Sequence, residues 1–211
     1  ALSAGHVYSF SLYNTGIIFV AIGENAAKAP LRIACAHTDF PCLRVKSNPV
    51  LNVHGYGKLN VEVYGGMIRN TWMDRPLSLA GAVALRGADP FAPTLRLVDF
   101  RRPLMIVPNL AIHMNRKAND GIALNVQNDL LPLFSQKGSK GEFMELVADS
   151  AGVCKDNIVG SDLFLYSRTK PTFWGAKNEF FSAPHIDDLQ CVYSALQALL
   201  AAESKDAVQM L

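Results

Sequence analysis

A short apolar run that stops abruptly at polar residues is the feature that most constrains the fold of this chain. The run covers residues 31–36, and His37 and Asp39 follow it at once. Such a β-prone stretch predicts a buried strand with an imidazole at its end, where open α/β sheets tend to hold their ligands. Asp39 is close enough to accept the second ring N–H of His37 and fix its tautomer. The pattern is typical of a metal site, and a hydrogen-bonded core histidine is the alternative.

A second polar cluster opens a predicted helix near the end of the sequence. The segment 182–190 contains the adjacent carboxylates of Asp187 and Asp188. Apolar residues then recur at helical spacing, at Leu189, Val192, Tyr193, Leu196, Leu199 and Leu200. One carboxylate can serve as the N-cap of this helix, because the first turn has unpaired N–H groups. The adjacent pair leaves the other carboxylate free to bind or bridge cations.

Five blocks of sequence, in the same order, resemble the M18 family of metallo-aminopeptidases, the aspartyl aminopeptidases, over nearly the whole chain. The blocks are residues 36–46, 64–66 with 71–81, 108–116, 124–127 and 184–190. The resemblance implies that His37 is a zinc ligand and that Asp39 orients it. It also implies that Asp187 is the carboxylate that bridges two zinc ions in each active site of the complete enzyme.

Three positions in these blocks depart from the pattern of the family. Phe40 stands where a serine is usual, Asp188 where an asparagine is common, and His185 where an arginine is frequent. The charge of Asp188 leaves the choice of bridging carboxylate open between Asp187 and Asp188, and we favour Asp187. Because Phe40 is larger than serine, we expect the shape and the hydrogen bonding beside the metal to differ from those of the family.

The larger departure is an absence of expected catalytic groups. Nothing in the sequence matches the paired glutamates, the later aspartate or the C-terminal histidine that the family uses as general base and further ligands. A catalytic zinc needs at least three protein donors, and only two are identified. We therefore expect residues 1–211 to be the N-proximal part of a longer enzyme and to be inactive alone.

Length and composition restrict the other possible classes. With 211 residues, 50% of them hydrophobic, the chain can bury one sizeable core or two small ones. Its net charge of +2 comes without a basic cluster, so we expect no binding to nucleic acid or to a membrane. Four cysteines without a Cys-x-x-Cys pair favour free thiols in a reducing compartment, and the expected localisation is cytoplasmic. We expect Cys35 and Cys42 to be core residues.

The predicted fold class is α/β, with a zinc-aminopeptidase-like sheet and helices interrupted by an inserted β-rich dimerisation domain. The patterns predict a hairpin over 5–22, strands within 50–63, 95–98, 104–107 and 163–166, and a helix over 141–151. The resemblance places the insert at 44–168. Residues 1–43 and 169–211 are then parts of an incomplete catalytic domain.

The predicted insert contains one further candidate residue, His113, which lies among apolar residues in the block 108–116. By resemblance, His113 would stabilise the substrate or the tetrahedral intermediate in the active site of a neighbouring subunit. The alternative is a hydrogen-bonded histidine in a subunit interface. The apolar segment 104–112 favours such an interface, because a small lobe could not cover it alone. We expect a homo-oligomer, a dodecamer built from dimers.

The expected function is a zinc-dependent aminopeptidase that removes N-terminal residues, preferably aspartate or glutamate, from peptide substrates. Metal-activated water would attack the peptide bond. Two alternatives remain open at this point. One is a non-catalytic assembly subunit or pseudoenzyme of the same fold, and the other is a metallo-aminopeptidase for neutral residues.

Overall fold

The computed structural model describes residues 2–13, 15–136, 140–203 and 205–211. Twelve β-strands and three α-helices lie within these residues. The strands are β1 (Val7–Leu12), β2 (Gly16–Ile22), β3 (Leu31–Ile33), β4 (Cys42–Val53), β5 (Tyr56–Tyr64), β6 (Leu77–Leu85), β7 (Thr94–Asp99), β8 (Leu133–Ser135), β9 (Ile158–Ser167), β10 (Thr172–Trp174), β11 (Phe180–Ser182) and β12 (Val208–Met210). The helices are α1 (Val126–Asp129), α2 (Lys140–Ala151) and α3 (Ile186–Ala201). Among the described helices, none is both long and apolar enough to span a bilayer.

The chain divides into two compact units. The terminal unit consists of Ala1–Phe40 and His185–Leu211, and the central unit is Pro41–Pro184. Of the boundaries expected from the resemblance, residue 44 lies in β4 and residue 168 follows β9, and these are the first and last strands, in sequence order, of the six-stranded sheet of the central unit. The observed division also assigns the small β10–β11 hairpin to the central unit.

The terminal unit contains a four-stranded sheet in the order β1-β2-β12-β3. The predicted hairpin over 5–22 is confirmed, since β1 and β2 pair antiparallel from Val7↔Ala21 to Leu12↔Gly16, and turn residue 14 lies outside the described residues. β12 pairs antiparallel with β2 and parallel with β3. The C-terminal strand therefore lies between strands from the beginning of the chain.

The strand predicted before His37 is shorter and more exposed than expected. β3 ends at Ile33, and the side chains of Leu31 and Ile33 are 55% and 60% exposed. The reason is that β3 is an edge strand, paired in the described sheet with β12 alone. Cys35, expected in the core, is exposed, whereas Cys42 is buried as expected. The apolar run was therefore correctly read as a strand and incorrectly read as a buried one.

The central unit is built on a six-stranded antiparallel sheet in the order β7-β6-β9-β4-β5-β8. In β5 the side chains alternate, with Leu59 and Val61 fully buried between the less buried Lys58, Asn60 and Glu62. This alternation of period two places one face of the sheet against a core. Burying each such aliphatic side chain contributes about 1.5–3 kcal/mol.

Helix α2 covers this core, and the prediction of a helix over 141–151 is confirmed. Its buried residues Phe143 and Val147 lie one turn apart and join the cluster of sheet residues. The buried members of the cluster are Leu43, Val50, Leu59, Val61, Leu77, Leu79, Val83, Val98, Met105, Val107, Leu130, Phe143, Val147, Ala151, Leu163 and Leu165. The central unit thus has a substantial core of its own.

The apolar segment 104–112 is only partly the exposed surface that the sequence suggested. Met105 and Val107 are buried in the core, where they form isolated bridges to Leu77 and Met73 rather than a strand. Leu110 and Ile112 are exposed, together with the nearby Met114. Solvent-facing apolar side chains therefore begin beyond residue 107.

Candidate metal centre

The structure brings the two predicted metal ligands together within the terminal unit. His37 lies in the segment 34–40 that follows β3, and Asp187 lies at the start of α3. Nε2 of His37 is 3.3 Å from Oδ1 of Asp187. Both side chains face solvent, with exposed fractions of 53% and 93%. The proximity expected from a strand end and a helix start is observed, although β3 itself ends four residues before His37.

The other ring nitrogen of His37 faces Asp39. Nδ1 of His37 is 2.9 Å from the backbone oxygen of Asp39 and 3.2 Å from its carboxylate Oδ1. The sequence predicted the carboxylate as acceptor, and the backbone carbonyl is the closer of the two oxygens. Because a carbonyl oxygen only accepts, Nδ1 carries an N–H, and the neutral form of the ring then has its lone pair on Nε2, which is the tautomer that a metal ligand needs.

The second carboxylate of the pair contacts the main chain of the histidine. The backbone N–H of His37 donates to Oδ2 of Asp188 over 3.3 Å. The thiol of Cys191, on the first turn of α3, donates to the same carboxylate. The backbone at Asp187 and Asp188 is non-helical, so the regular helix begins after both residues. Asp187 therefore contacts the imidazole of His37, and Asp188 contacts its backbone N–H.

Two further residues join the same segments. The rings of Phe40 and His185 stack with centroids 3.4 Å apart and an interplanar angle of 18°. Both are partly buried, and His185 adopts a left-handed backbone conformation with φ of 64°. Burial lowers the pKa of His185, which favours the neutral ring. These are two of the positions that depart from the family pattern, and the structure shows that they contact each other.

The carboxylates set the electrostatics of the site. The pKa of His37 is raised, first by its hydrogen bond to the backbone carbonyl of Asp39 and then by the charges of the three surrounding carboxylates, against a partial desolvation. The hydrogen bond from Cys191 holds the pKa of Asp188 below its usual value, and the N–H of His37 contributes to the same shift. The same contact with Asp188 raises the pKa of the Cys191 thiol.

The donor set has the chemistry of a zinc site. An imidazole nitrogen and a carboxylate oxygen are both ordinary zinc ligands, and a second interaction orients the imidazole. Within the described ranges, no group of three or more His, Cys, Asp and Glu side chains is arranged to hold a metal ion. His37 and Asp187 therefore fit zinc as part of a ligand set.

The remaining candidate, His113, lies in the central unit. It occupies an exposed turn formed by residues 112–114, in which the N–H of Met114 donates to the carbonyl of Ala111. Sequence reasoning missed Cys191 and the contact between Phe40 and His185. Neither contact has a local signal in the sequence, because the backbone at Asp188 is non-helical and Phe40 and His185 are far apart along the chain.

An imidazole oriented by a second group, with a carboxylate 3.3 Å from its other nitrogen, is a donor arrangement found in zinc proteins. The model of the family described as aminopeptidase I zinc metalloprotease (M18) matches residues 4–210. The chain belongs to the M18 family, whose members are zinc metallopeptidases. The resemblance inferred from the five sequence blocks is thereby confirmed.

Curated relatives carry the same family name. The chain is 40% identical to the probable M18 family aminopeptidase 2 of Clostridium acetobutylicum over 94% of its own length and 47% of that protein. It is also 40% identical to the protein of the same name from Clostridium novyi, over 100% of its own length and 50% of the relative. The chain therefore spans about half the length of the curated relatives it matches.

Solved structures share the fold. A cryo-EM structure of the Ape4 and Nbr1 complex matches 99% of this chain and 45% of its own, with a TM-score of 0.87 and 29% identity. The structure of Chaetomium thermophilum mApe1 matches 100% and 51%, with a TM-score of 0.84 and 25% identity. The S. cerevisiae mApe1 dodecamer matches 98% and 48%, with a TM-score of 0.76 and 22% identity, a likeness of fold alone. The predicted α/β class is confirmed.

Proposed function

We propose that the protein acts as a zinc-dependent aminopeptidase that removes N-terminal residues from peptides. The observation that carries the proposal is the 3.3 Å approach of His37 Nε2 to Asp187 Oδ1, in a chain of the M18 family. Zinc is commonly bound by an imidazole that a second group orients and by a carboxylate close to the same imidazole nitrogen.

Each residue has a distinct role in this proposal. His37 would hold zinc through Nε2, Asp187 would hold it through its carboxylate as the bridging ligand, and Asp39 would keep the proton on Nδ1. Zinc bound there would polarise the scissile carbonyl and lower the pKa of the attacking water. The general base that takes the proton of that water and returns it to the leaving amine would be a residue other than His37, Asp39 and Asp187.

The ligand count limits what residues 1–211 can do alone. Catalytic zinc takes about three protein ligands, and the described residues bring together two, His37 and Asp187. We therefore expect this segment alone to bind zinc weakly and to be inactive, and we assign the activity to the intact protein.

We further propose acidic peptides, with N-terminal aspartate or glutamate, as the preferred substrates. This preference rests on the resemblance of the sequence blocks to the aspartyl aminopeptidases. Nothing among the described contacts of His37 and Asp187 selects a side chain. Preference for acidic or for neutral substrates is therefore decided by comparing their rates of hydrolysis.

We also propose a homo-oligomer, a dodecamer built from dimers through the central unit, and a cytoplasmic localisation. Exposed apolar side chains at Leu110, Ile112 and Met114 support an interface next to His113. In this arrangement His113 reaches the active site of a neighbouring subunit, where it would stabilise the substrate or the tetrahedral intermediate.

The test is a measurement of bound zinc and of aminopeptidase activity in the intact protein. We expect zinc in the purified protein, hydrolysis of Asp-p-nitroanilide faster than of Leu-p-nitroanilide, and loss of both zinc and activity in His37→Ala and Asp187→Asn. Faster hydrolysis of the leucine substrate would show a neutral aminopeptidase. Zinc binding without hydrolysis of either substrate, or no zinc at all, would instead favour an assembly subunit that has lost the chemistry.

A further inference from the structure

We propose that Asp188 is a positioning residue that holds the main chain of His37 in place, and that Cys191 orients Asp188 for this task. The inference rests on the proposed zinc site and names the group that determines its geometry. It assigns the two adjacent carboxylates to different tasks, with Asp187 directed at the metal and Asp188 directed at the protein.

The contacts of Asp188 carry the first step. Its Oδ2 accepts the backbone N–H of His37, and its carboxylate also accepts the thiol hydrogen of Cys191. Asp187, by contrast, is almost fully exposed, and its Oδ1 approaches Nε2 on the imidazole. A carboxylate has about four lone-pair directions, and protein donors use two of those on Asp188. The orientation of Asp188 is thus set by the protein, and that of Asp187 is left for a ligand.

The position of His37 in its segment carries the second step. The segment 34–40 has no regular secondary structure. It is anchored at its beginning by the N–H of Ala34, which donates to the carbonyl of Met210, and at its end by the stack of Phe40 on His185. Between these anchors, the bond from His37 N to Asp188 joins the main chain to α3. Loss of this bond would let the imidazole move relative to Asp187.

The contact between Cys191 and Asp188 carries the third step. Cys191 lies on the first regular turn of α3, and its thiol hydrogen-bonds the carboxylate of Asp188, which precedes that turn. A thiol is a weak donor, and its hydrogen bond is strengthened when the acceptor is ionised. Cys191 thereby restrains the carboxylate from one side while His37 binds it from the other.

This task requires an acceptor oxygen at position 188 and does not require a negative charge. Asparagine supplies such an oxygen, so Asp188→Asn should keep the bond to His37, and Asp188→Ala should lose it. At position 187 the charge itself binds the metal, so Asp187→Asn should lose zinc. Serine preserves a donor at position 191 and alanine does not, which gives a second, independent pair of variants.

The experiment measures zinc affinity in the intact protein by competition with a chromogenic chelator, with no substrate present. Removing a group that orients a ligand typically weakens metal binding by about 10- to 100-fold. We expect a loss in this range for Asp188→Ala, a smaller loss for Cys191→Ala, and affinities close to the unsubstituted protein for Asp188→Asn and Cys191→Ser. Cys154→Ala, at an exposed free thiol of the central unit, is the matched control for loss of a thiol.

A spectroscopic readout separates positioning from ligation. With cobalt in place of zinc, Asp188→Asn and Cys191→Ala should keep the visible absorption bands of the parent protein, because the ligands are unchanged, and Asp187→Asn should alter them. If Asp188→Asn loses zinc as Asp187→Asn does, or Asp188→Ala binds zinc like the parent, the inference is wrong. If Asp188→Ala fails to fold, the pair Cys191→Ala and Cys191→Ser decides, and equal affinities in that pair refute the role of Cys191.

Failure of the underlying proposal gives a different pattern. If the unsubstituted protein binds no zinc, or if His37→Ala and Asp187→Asn bind zinc normally, the zinc site itself is wrong. In that case the assignment of Asp188 falls with it. If His37→Ala and Asp187→Asn lose zinc as expected and Asp188→Ala keeps the zinc affinity of the parent, only the positioning role is overturned.

Discussion

Replacing Phe40 with alanine tests whether the stack on His185 fixes the end of the segment that carries His37. The two rings lie with centroids 3.4 Å apart and nearly parallel, and both are partly buried. Aromatic pairs contribute about 0.5–1.5 kcal/mol beyond the area that they bury. We therefore expect Phe40→Ala and His185→Ala to be coupled by about 1 kcal/mol, a factor of about 5 in the unfolding equilibrium.

The assay is a double-mutant cycle measured by denaturant unfolding of the intact protein at about pH 8. At this pH the neutral ring of His185 dominates, because burial lowers its pKa. The single variants Phe40→Ala and His185→Ala and the double variant are compared with the parent, and Phe40→Leu is included as a control that preserves apolar bulk without a ring. The coupling should be smaller with leucine than with phenylalanine, since leucine cannot stack.

Zinc affinity provides the second measurement of the same cycle. If the stack anchors the segment, Phe40→Ala should weaken zinc binding through a displaced His37, and the loss should not increase further in the double variant. Additive effects of the two single substitutions on stability and on zinc affinity would refute this reasoning. They would mean that Phe40 and His185 act separately.

Other features of the structure lead to three further expected outcomes. Gly81→Ala should destabilise the central unit by about 3 kcal/mol, because φ is 153° and a Cβ would meet the backbone of the neighbouring strand, whereas Gly66→Ala, with open space around it, should change the unfolding midpoint little. Although burial opposes it, the 2.6 Å hydrogen bond from Tyr166 helps to hold the pKa of Asp99 below its usual value, so Tyr166→Phe should lower stability at about pH 7. The deficit should shrink as the pH falls through the folded-state pKa of Asp99, since that stabilisation exists only while the carboxylate is ionised, and an equal deficit at about pH 3 would contradict this origin. His113→Ala should reduce turnover far more than zinc content in the intact protein. If light scattering shows that the protein is a monomer and this monomer is fully active, the proposed role of His113 across subunits is ruled out.

Local sequence patterns predicted the end of β4 and the strands β5, β7 and β9 of the central unit, but they missed β6 and β8 and wrongly predicted a strand at 104–107. The alternation in β5 follows from one face of the sheet being buried, which a sequence records directly. Residues 104–107 are all apolar and do not alternate. The register pairs β7 with residues 80–85 of β6 and leaves Leu77 for a single bridge to Met105. Whether an apolar run forms a paired strand depends on which neighbouring strand edges are still free to pair with it. No local sequence pattern contains that information.

The same limit explains the error at β3. A run of apolar residues predicts a strand, but its burial depends on how many neighbours the sheet supplies. β3 lies at an edge beside β12, a strand from the other end of the sequence. Edge and central strands differ in their partners more than in their composition, so the exposure of Leu31 and Ile33 could not be read from the run itself.

The residues of the candidate site were predictable from sequence where binding a metal restricts the residue type. They were not predictable where a residue only contacts and orients another residue. Imidazole and carboxylate are common zinc ligands, so His37 and Asp187 could be singled out as candidate ligands. Cys191 has the appearance of an ordinary thiol on a helix, and its contact with Asp188 becomes visible only once the backbone places the carboxylate just before the first regular turn. Groups that orient other groups tolerate several residue types, and so they leave a weaker trace in one sequence.

The assembly of this site depends on pairing between the two ends of the chain. His37 follows β3, whereas Asp187 and Asp188 begin the helix that leads to β12, and β3 and β12 pair in parallel through Ile33↔Met210. The N–H of Ala34 continues this pairing by donating to Met210, so the segment leaves the sheet in a defined direction. Sheet pairing places the histidine near the carboxylates, and the bond to Asp188 sets its final position. A change that weakens the β3–β12 pairing should therefore lower the zinc affinity of the intact protein even though it touches none of the proposed ligands.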